Sequence, residues 1–156
     1  MSDISVDAAK PLVPALARVT EALAPYAEPL VRVAAGLLLV PHGAQKLFGW
    51  FGGSGIAGTE QFFVSKLGLP PSIAVLAGLV EFGGGLLLAL GLVTRVAAAL
   101  VVGLMTVAVI RVHLPNGFFW TKGGYEYPLL WGILALSFAI RGGGRFSLDA
   151  LIGREI

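Results

Sequence analysis

Four long apolar segments constrain the fold of this chain more than any other feature of its sequence. They lie at about residues 30–51, 72–93, 96–114 and 125–140. A helix crosses the hydrocarbon core of a bilayer with about 20 mostly apolar residues, within a range of about 17–25. The second and third segments meet this length, the first does so if its outer end tolerates polar groups, and the fourth is short. The pattern predicts an all-α, membrane-embedded, antiparallel four-helix bundle over residues 29–152.

The overall composition supports a membrane protein and excludes several other classes. Hydrophobic residues make up 56% of the chain and charged residues 13%, whereas a soluble domain has about 45–50% apolar and about 25% charged residues. The lysines and arginines are scattered rather than clustered, which argues against a nucleic-acid partner. The absence of cysteine excludes disulfides, thiolate metal sites and CxxC redox pairs within the chain. The partner that the sequence predicts first is the lipid bilayer.

Residues 1–28 differ from the rest and are predicted to form a separate N-terminal arm. Acidic residues come first in this arm, unlike the basic start of a secretory signal. Leu12, Leu16, Val19 and Leu23 recur at helical spacing, which is typical of a short helix lying on a membrane surface. A disordered terminus is the alternative interpretation.

The distribution of basic residues predicts how the bundle is oriented. Lysine and arginine in short flanking segments mark the cytoplasmic side of a membrane protein. Their split favours a multi-pass protein of a bacterial-type inner membrane with both termini in the cytoplasm. In this interpretation Arg32 and Arg95 serve as topology signals near the inner face.

Glu81 is the polar residue that the second apolar segment is least expected to contain. Helical rise from Pro71 places it about 15 Å deep, near the middle of a hydrocarbon core about 30 Å thick. A charge at the centre of a membrane helix costs about 2.5–3.5 kcal/mol on the insertion scale. Glu81 must therefore be protonated, paired or in contact with water, and a purely structural ion pair is the alternative to a functional role.

Other polar side chains lie toward the outer ends of the spans, so antiparallel threading predicts that they converge with Glu81 in one half-buried, charge-balanced site. The candidates for proton relay are Glu81, His42 and His113. The candidates for ligand binding are Gln45, Lys46, Arg111, Tyr125 and Glu126. No metal site is predicted. The alternatives are that Lys46 and Arg111 snorkel to the headgroups, that His42 binds the backbone kinked by Pro41, and that Glu126 caps a helix at the interface.

Several short motifs follow one another over residues 29–150. They are Arg32 with Gly36, His42-Gly43-x-x-Lys46-Leu47-x-Gly49, Glu81-Phe82-Gly83-Gly84, Gly91-x-x-x-Arg95, His113 with Asn116-Gly117-Phe118-Phe119, Gly123-Gly124-Tyr125-Glu126-Tyr127, and Arg141-Gly142-Gly143-Gly144 with Ser147-Leu148-Asp149. Taken in this order, these motifs resemble the DoxX family of small four-helix membrane proteins. Similar proteins include the membrane subunit of a thiosulfate:quinone oxidoreductase. The resemblance implies a redox-linked membrane protein that contacts quinone, but it supplies no agreed set of catalytic residues.

The first functional hypothesis is a quinone-binding subunit of an oxidoreductase. Quinone reduction needs hydrogen-bond donors, proton delivery and apolar walls; His42, Lys46 or Arg111 can donate, and Glu81 or His113 can relay protons. The sequence predicts no covalently bound cofactor, so the electrons would come from a soluble or membrane redox partner.

Three alternatives remain open at the level of sequence. One is a non-catalytic protein that binds a ligand or assembles a partner enzyme, and another is a small transporter or proton pathway, which would need a homo-oligomer for alternating access. The third is a metal site formed by His42, His113 and Glu81.

Overall fold

The computed structural model describes residues 11–154, and all the regular secondary structure in that range is helical. The helices are α1 (Pro14–Phe48), α2 (Gly55–Phe62), α3 (Pro71–Leu90), α4 (Thr94–Asn116), α5 (Glu126–Arg141) and α6 (Leu148–Ile152). The prediction of an all-α membrane bundle is confirmed.

Three helices are long and apolar enough to cross a membrane: α1, α3 and α4. Helix α5 has 16 residues, which is about 24 Å of helix, so it is short, as its sequence predicts. It packs against α4, and its C-terminal end returns to the part of α1 near Glu28, where Arg141 Nη2 lies 3.0 Å from Glu28 Oε2. The described chain therefore begins and ends at the same end of the bundle.

The predicted N-terminal arm is not a separate short helix where the structure describes it. Residues 14–28 continue into the first span as one helix, α1, through Pro25 and Pro29. Tyr26 stacks on Phe146 with ring centroids 5.4 Å apart, and together with the Glu28–Arg141 ion pair this contact ties the helix to the C-terminal segment between the two prolines. Residues 1–10 of the arm lie outside the described residues, and its position at a membrane surface stays a prediction.

Glycines set the register between α1 and α3. A Cβ atom at Gly36 would lie 2.5 Å from Ala89 N and from Gly85 O, and one at Gly43 would collide with the backbone of Phe82. Only glycine allows the two backbones to approach so closely. This register brings the C-terminal end of α1 beside the middle of α3, where Glu81 is located.

Arg32 is buried, which corrects its interpretation as a flanking topology signal. Its residue is 1% exposed. Nη1 donates to the carbonyls of Leu88 (2.8 Å) and Ala89 (2.7 Å), and Nη2 donates to that of Phe146 (2.6 Å). The last carbonyls of a helix lack partners within the helix, so Arg32 caps the C-terminal end of α3 and joins it to the C-terminal segment.

Arg95 has a similar capping role at the end of α5. Its Nη1 donates to the carbonyls of Ala139 and Ile140, and its Nη2 donates to that of Arg141. A cation at a helix C-terminus is also favoured by the helix dipole. Neither arginine needs a topological role to explain its position.

Asp149 holds the tight α3–α4 hairpin from outside it. Its carboxylate accepts hydrogen bonds from Val93 N (2.7 Å), Thr94 N (2.9 Å) and Thr94 Oγ1 (2.6 Å). Val93 has a φ of 50°, a left-handed conformation that is strained for a β-branched residue. The aspartate therefore caps the start of α4 from a distant part of the chain and stabilises the strained turn.

Loss of the Asp149 charge is expected to destabilise the protein in a pH-dependent way. Burial alone would raise the pKa of Asp149, but the hydrogen bonds from Thr94 and Val93 and the positive charge of Arg32 hold the pKa below its ordinary value. A lowered pKa contributes stability that is complete above the unfolded value of about 3.9 and is lost as the pH falls through the folded value.

Asp149→Asn is therefore expected to lower stability by about 1–3 kcal/mol at neutral pH, and to flatten the loss of stability below about pH 4. Thermal unfolding in detergent across pH 3–7 measures both effects. Glu21→Gln, which neutralises an exposed carboxylate on α1, provides the charge-matched control. An unchanged acid profile in Asp149→Asn would contradict the assigned role of the carboxylate.

Candidate functional site

A cavity of about 710 Å³ lies between α3, α4 and the segment of residues 49–69 that joins α1 to α3. We call residues 49–69 the covering segment. The walls of the cavity are largely apolar and come from α3, α4 and the covering segment. The polar or ionisable lining residues are Gln45, Lys46, Ser54, Thr59, Glu81 and His113.

The polar part of the cavity contains an ion pair between two membrane helices. Lys46 Nζ of α1 lies 2.5 Å from Glu81 Oε2 of α3. Glu81 is 7% exposed, whereas the lysine side chain retains 29% of its exposure. Glu81 is thus paired rather than isolated in the apolar interior, and the lysine is the partner that remains accessible from the cavity.

Helix irregularities occur where the polar residues meet the cavity. Glu81 lies in a π-helical turn, Val80–Gly84, and His113 lies in another, Ala108–His113. A third π-helical turn, Phe63–Leu67, follows α2. Such turns insert a residue into a regular helix and are common at functional sites, because they turn a side chain away from the direction that the regular repeat would give it.

Hydrogen bonds and close packing hold the covering segment to the C-terminal end of α1. Thr59 Oγ1 donates to the carbonyl of Lys46 (3.2 Å) as well as to that of Gly55 (2.8 Å). Gln45 Nε2 donates to the carbonyl of Phe51 (3.2 Å). Gly53 packs so closely on Gln45 that a Cβ atom there would collide with the Gln45 backbone. These contacts close the cavity on the side of the ion pair.

The structure brings together four of the eight predicted site residues. These four residues are Gln45, Lys46, Glu81 and His113. His113 is held by its Nδ1 atom, which lies 2.7 Å from the carbonyl oxygen of Gly123. Because a carbonyl only accepts, Nδ1 carries the proton when the ring is neutral, and Nε2 is then the basic nitrogen.

The other four predicted residues do not line the cavity. His42 is exposed on α1, one turn N-terminal to the residues that the covering segment contacts, and it does not line the cavity. Arg111 Nη2 donates to the carbonyl of Leu67 at 2.6 Å and so caps the π-helical turn Phe63–Leu67 of the covering segment. Glu126 Oε2 accepts from Trp120 N at 3.1 Å, and Tyr125 packs edge-on against Phe118. The connecting segments at this end of the bundle are therefore stabilised by Arg111, Glu126 and Tyr125.

Two polar lining residues, Ser54 and Thr59, were not among the predicted site residues, and neither was Gly103 in the cavity wall. Ser54 and Thr59 belong to a glycine-rich segment whose fold over the cavity depends on distant contacts. Gly103 lies midway along α4, and a Cβ atom there would have nothing within 4 Å. The sequence alone does not mark Gly103 as a cavity residue, because Gly83 also faces open space and does not line the cavity.

The chemistry available in the cavity is hydrogen bonding and proton transfer. Lys46 donates, Glu81 accepts, and His113 does either at Nε2. Among residues 11–154, no three His, Asp or Glu side chains are grouped so that they could hold a metal ion. His42, His113 and Glu81 in particular do not form a two-histidine, one-carboxylate site, because His42 lies outside the cavity.

Comparisons with known proteins identify relatives in bacterial membranes. The family model described as DoxX matches residues 29–114. The chain is 32% identical over 123 residues to the Bacillus subtilis protein named "Putative oxidoreductase CatD", a match that covers 79% of this chain and 84% of that protein. It is 32% identical over 109 residues to "Inner membrane protein YqjF" of Escherichia coli, covering 69% and 82% of the two chains. No solved structure matches. Together with the long apolar helices, these relatives support a multi-pass bacterial membrane protein.

Proposed function

Because the chain belongs to the DoxX family, we propose that it is a redox-linked membrane subunit that binds a quinone, or an apolar ligand of similar shape, in the cavity beneath the covering segment. The observation that carries this proposal is the composition of that cavity. Its walls are apolar, and its polar residues include a lysine–glutamate pair. Ligand pockets combine a mostly apolar wall with a few well-placed polar groups in this way. A relative named as an oxidoreductase adds weight to a redox role.

The shape of the cavity suits a headgroup followed by an apolar tail. Its lining on α4 runs from Ala99 to His113, which is about 21 Å along the helix axis. Leu76, Leu100 and Val107, which line it, are exposed rather than buried between the helices. A ligand dissolved in the bilayer would reach the cavity between α3 and α4 without passing through water.

The polar groups suit the reduction of a quinone to a quinol, which consumes two electrons and two protons. Lys46 would donate a hydrogen bond to one quinone oxygen, and Glu81 and His113 would transfer the protons. The chain has no cysteine that could hold an iron–sulfur cluster or form a redox disulfide, and we propose that the two electrons come from a partner redox protein. His42 has no role in this proposal.

We further propose that both termini face the cytoplasm. The described chain begins and ends at one end of the bundle, and the C-terminal segment there carries Arg141, Arg145 and Arg154. An excess of arginine in short flanking segments marks the cytoplasmic side. The cavity with Lys46 and Glu81 would then lie in the outer half of the membrane.

Filling the cavity from Gly103 tests the proposed ligand. Gly103→Leu places an aliphatic side chain in the cavity, and the open space at this position means that the bundle need not rearrange. We expect affinity for a decyl-tailed ubiquinone analogue and for a short-chain menaquinone to fall by at least about tenfold, a loss of about 1.4 kcal/mol. Titration of the protein in detergent, together with mass spectrometry of co-purified quinone, measures the change.

Gly83→Leu is the matched control. Gly83 is a helical glycine with no atom within 4 Å of a built Cβ, and it does not line the cavity. Equal quinone binding by the two variants, or a wild-type protein that binds neither probe, would reject the proposal. Quinone binding without electron transfer from any captured redox partner would instead favour the non-catalytic binding or assembly role.

A further inference from the structure

We infer that a second cavity, at the opposite end of the bundle, binds the phosphate headgroup of an anionic phospholipid. This cavity measures about 350 Å³ and is lined by the loop after α5 and by α6. Three of its lining residues are arginines: Arg141, Arg145 and Arg154. Glu28, which lies at this end of α1, is about 27 Å along the helix from Lys46, so the inference is independent of the proposed quinone site.

The positive charge of the second cavity is only partly neutralised. Arg141 is paired with Glu28. Asp149 also lines the cavity, but it is 4% exposed and its oxygens accept from Val93 and Thr94 at the start of α4. Within residues 11–154, neither Arg145 nor Arg154 forms a salt bridge. Two arginine charges therefore remain to meet an anion.

The arginine side chains are suited to a phosphate group. A guanidinium presents a planar fork of N–H donors that matches phosphate oxygens, and its charge strengthens each hydrogen bond. Arg145 and Arg154 are exposed, so the access of an anion is not blocked by packing. The Arg145 guanidinium carbon lies 5.5 Å from the ring centroid of Phe146, which favours a position of the side chain above that ring.

Apolar side chains beside the arginines favour a lipid over a soluble phosphate. Ile140 at the end of α5 and Leu151 and Ile152 on α6 are strongly exposed. A soluble anion makes no use of exposed aliphatic side chains, whereas the acyl chains of a lipid cover them. Clusters of basic residues immediately beside the end of a membrane helix are typical of sites for anionic headgroups, and this cavity lies directly after α5.

The inference is tested by lipid competition on the full-length protein. The protein is reconstituted in nanodiscs with equal amounts of phosphatidylglycerol and phosphatidylcholine, and retained lipid is measured by native mass spectrometry. We expect wild type to retain phosphatidylglycerol in excess, and the double variant Arg145→Gln with Arg154→Gln to lose about 25-fold of that preference, at about fivefold for each arginine near a membrane surface.

The matched control changes the same charge at the other end of the bundle. Lys66→Gln with Lys122→Gln removes two exposed cations that do not line the second cavity, and it is expected to leave the preference unchanged. A double-arginine variant that keeps the preference would overturn the inference, as would an equal loss in the lysine control, which would indicate a general effect of net charge. Displacement of phosphatidylglycerol by an equal concentration of inorganic phosphate would indicate an anion site that does not recognise lipid.

Discussion

Replacing Arg32 with methionine is expected to destabilise the bundle by about 3–5 kcal/mol, the range for removing one partner from a buried charged network. The guanidinium makes three hydrogen bonds to backbone carbonyls, at Leu88, Ala89 and Phe146. It is also attracted by the charges of Glu28 and Asp149. Methionine matches the unbranched stem of arginine as far as Nε and fits an apolar interior, so the variant removes the guanidinium while keeping the packing of the stem.

The loss is large because the variant leaves buried backbone carbonyls without the donor that Arg32 supplies. A buried carbonyl without a donor costs about 1–3 kcal/mol, and the carboxylate of Asp149 would lose a nearby positive charge. The capped end of α3 also begins the strained hairpin at Val93. Thermal unfolding in detergent, followed by the fluorescence of Trp131 and the other tryptophans, is expected to show a midpoint lowered by about 10 °C.

Two variants separate the capping role from a simple effect of charge. Arg18→Met removes an exposed arginine from the same helix and is expected to leave the midpoint unchanged. Arg32→Lys keeps the charge but cannot donate to three carbonyls in the same fork geometry, so an intermediate midpoint is expected. If Arg32→Met had the same unfolding midpoint as Arg18→Met, the assigned capping role of Arg32 would be wrong.

The architecture could be predicted from the sequence because it depends on local patterns. Apolar length identified the spans, and the structure shifts their bounds by a few residues except at α1, which extends back to Pro14. The extension could not be predicted, because Pro25 and Pro29 disfavour a continuous helix. The contacts that secure it, from Tyr26 to Phe146 and from Glu28 to Arg141, join residues more than 100 positions apart in the sequence.

The candidate site could be predicted only in part. Its ionisable residues stand out in the sequence, whereas the fold of the covering segment depends on tertiary contacts. Glu81 stood out since a carboxylate in the middle of an apolar segment needs a partner, and Lys46 was among the candidates. His42 shares a helix face with Lys46, yet the covering segment reaches α1 only at residues 45 and 46. Helical spacing gives the face of a residue, but it does not indicate which part of that face a distant loop covers.

The burial of Arg32 could not be predicted from the sequence either. An arginine near the end of an apolar segment has the same sequence pattern whether it extends to lipid headgroups or lies inside the protein. Its acceptors come from the end of α3 and from the C-terminal segment, so only the tertiary structure separates the two cases. The three π-helical turns likewise result from packing and have no signature in the sequence.

Removing Lys46 while keeping Glu81 is expected to have the second large effect, and here stability and ligand binding can be separated. Lys46→Met leaves a carboxylate that is 7% exposed without its counter-ion, which costs about 3–5 kcal/mol for a buried pair. Adding Glu81→Met removes the unpaired charge and brings no hydrogen-bond donor into the cavity, so the double variant is expected to regain most of the lost stability. Quinone binding should not return, because the hydrogen-bond donor is still absent.

The double-mutant cycle over Lys46 and Glu81, measured by thermal unfolding and by quinone titration, gives the two quantities independently. The matched cycle uses Glu28→Gln and Arg141→Met, an ion pair of the same kind whose arginine side chain is 67% exposed and whose coupling is expected to be only about 0–1 kcal/mol. A double variant of Lys46 and Glu81 that is stable and binds quinone as wild type does would reduce the pair to a structural link between α1 and α3. A double variant that is stable but binds no quinone would indicate that this ion pair takes part in ligand binding. Within the described residues it is the only ion pair between α1 and α3.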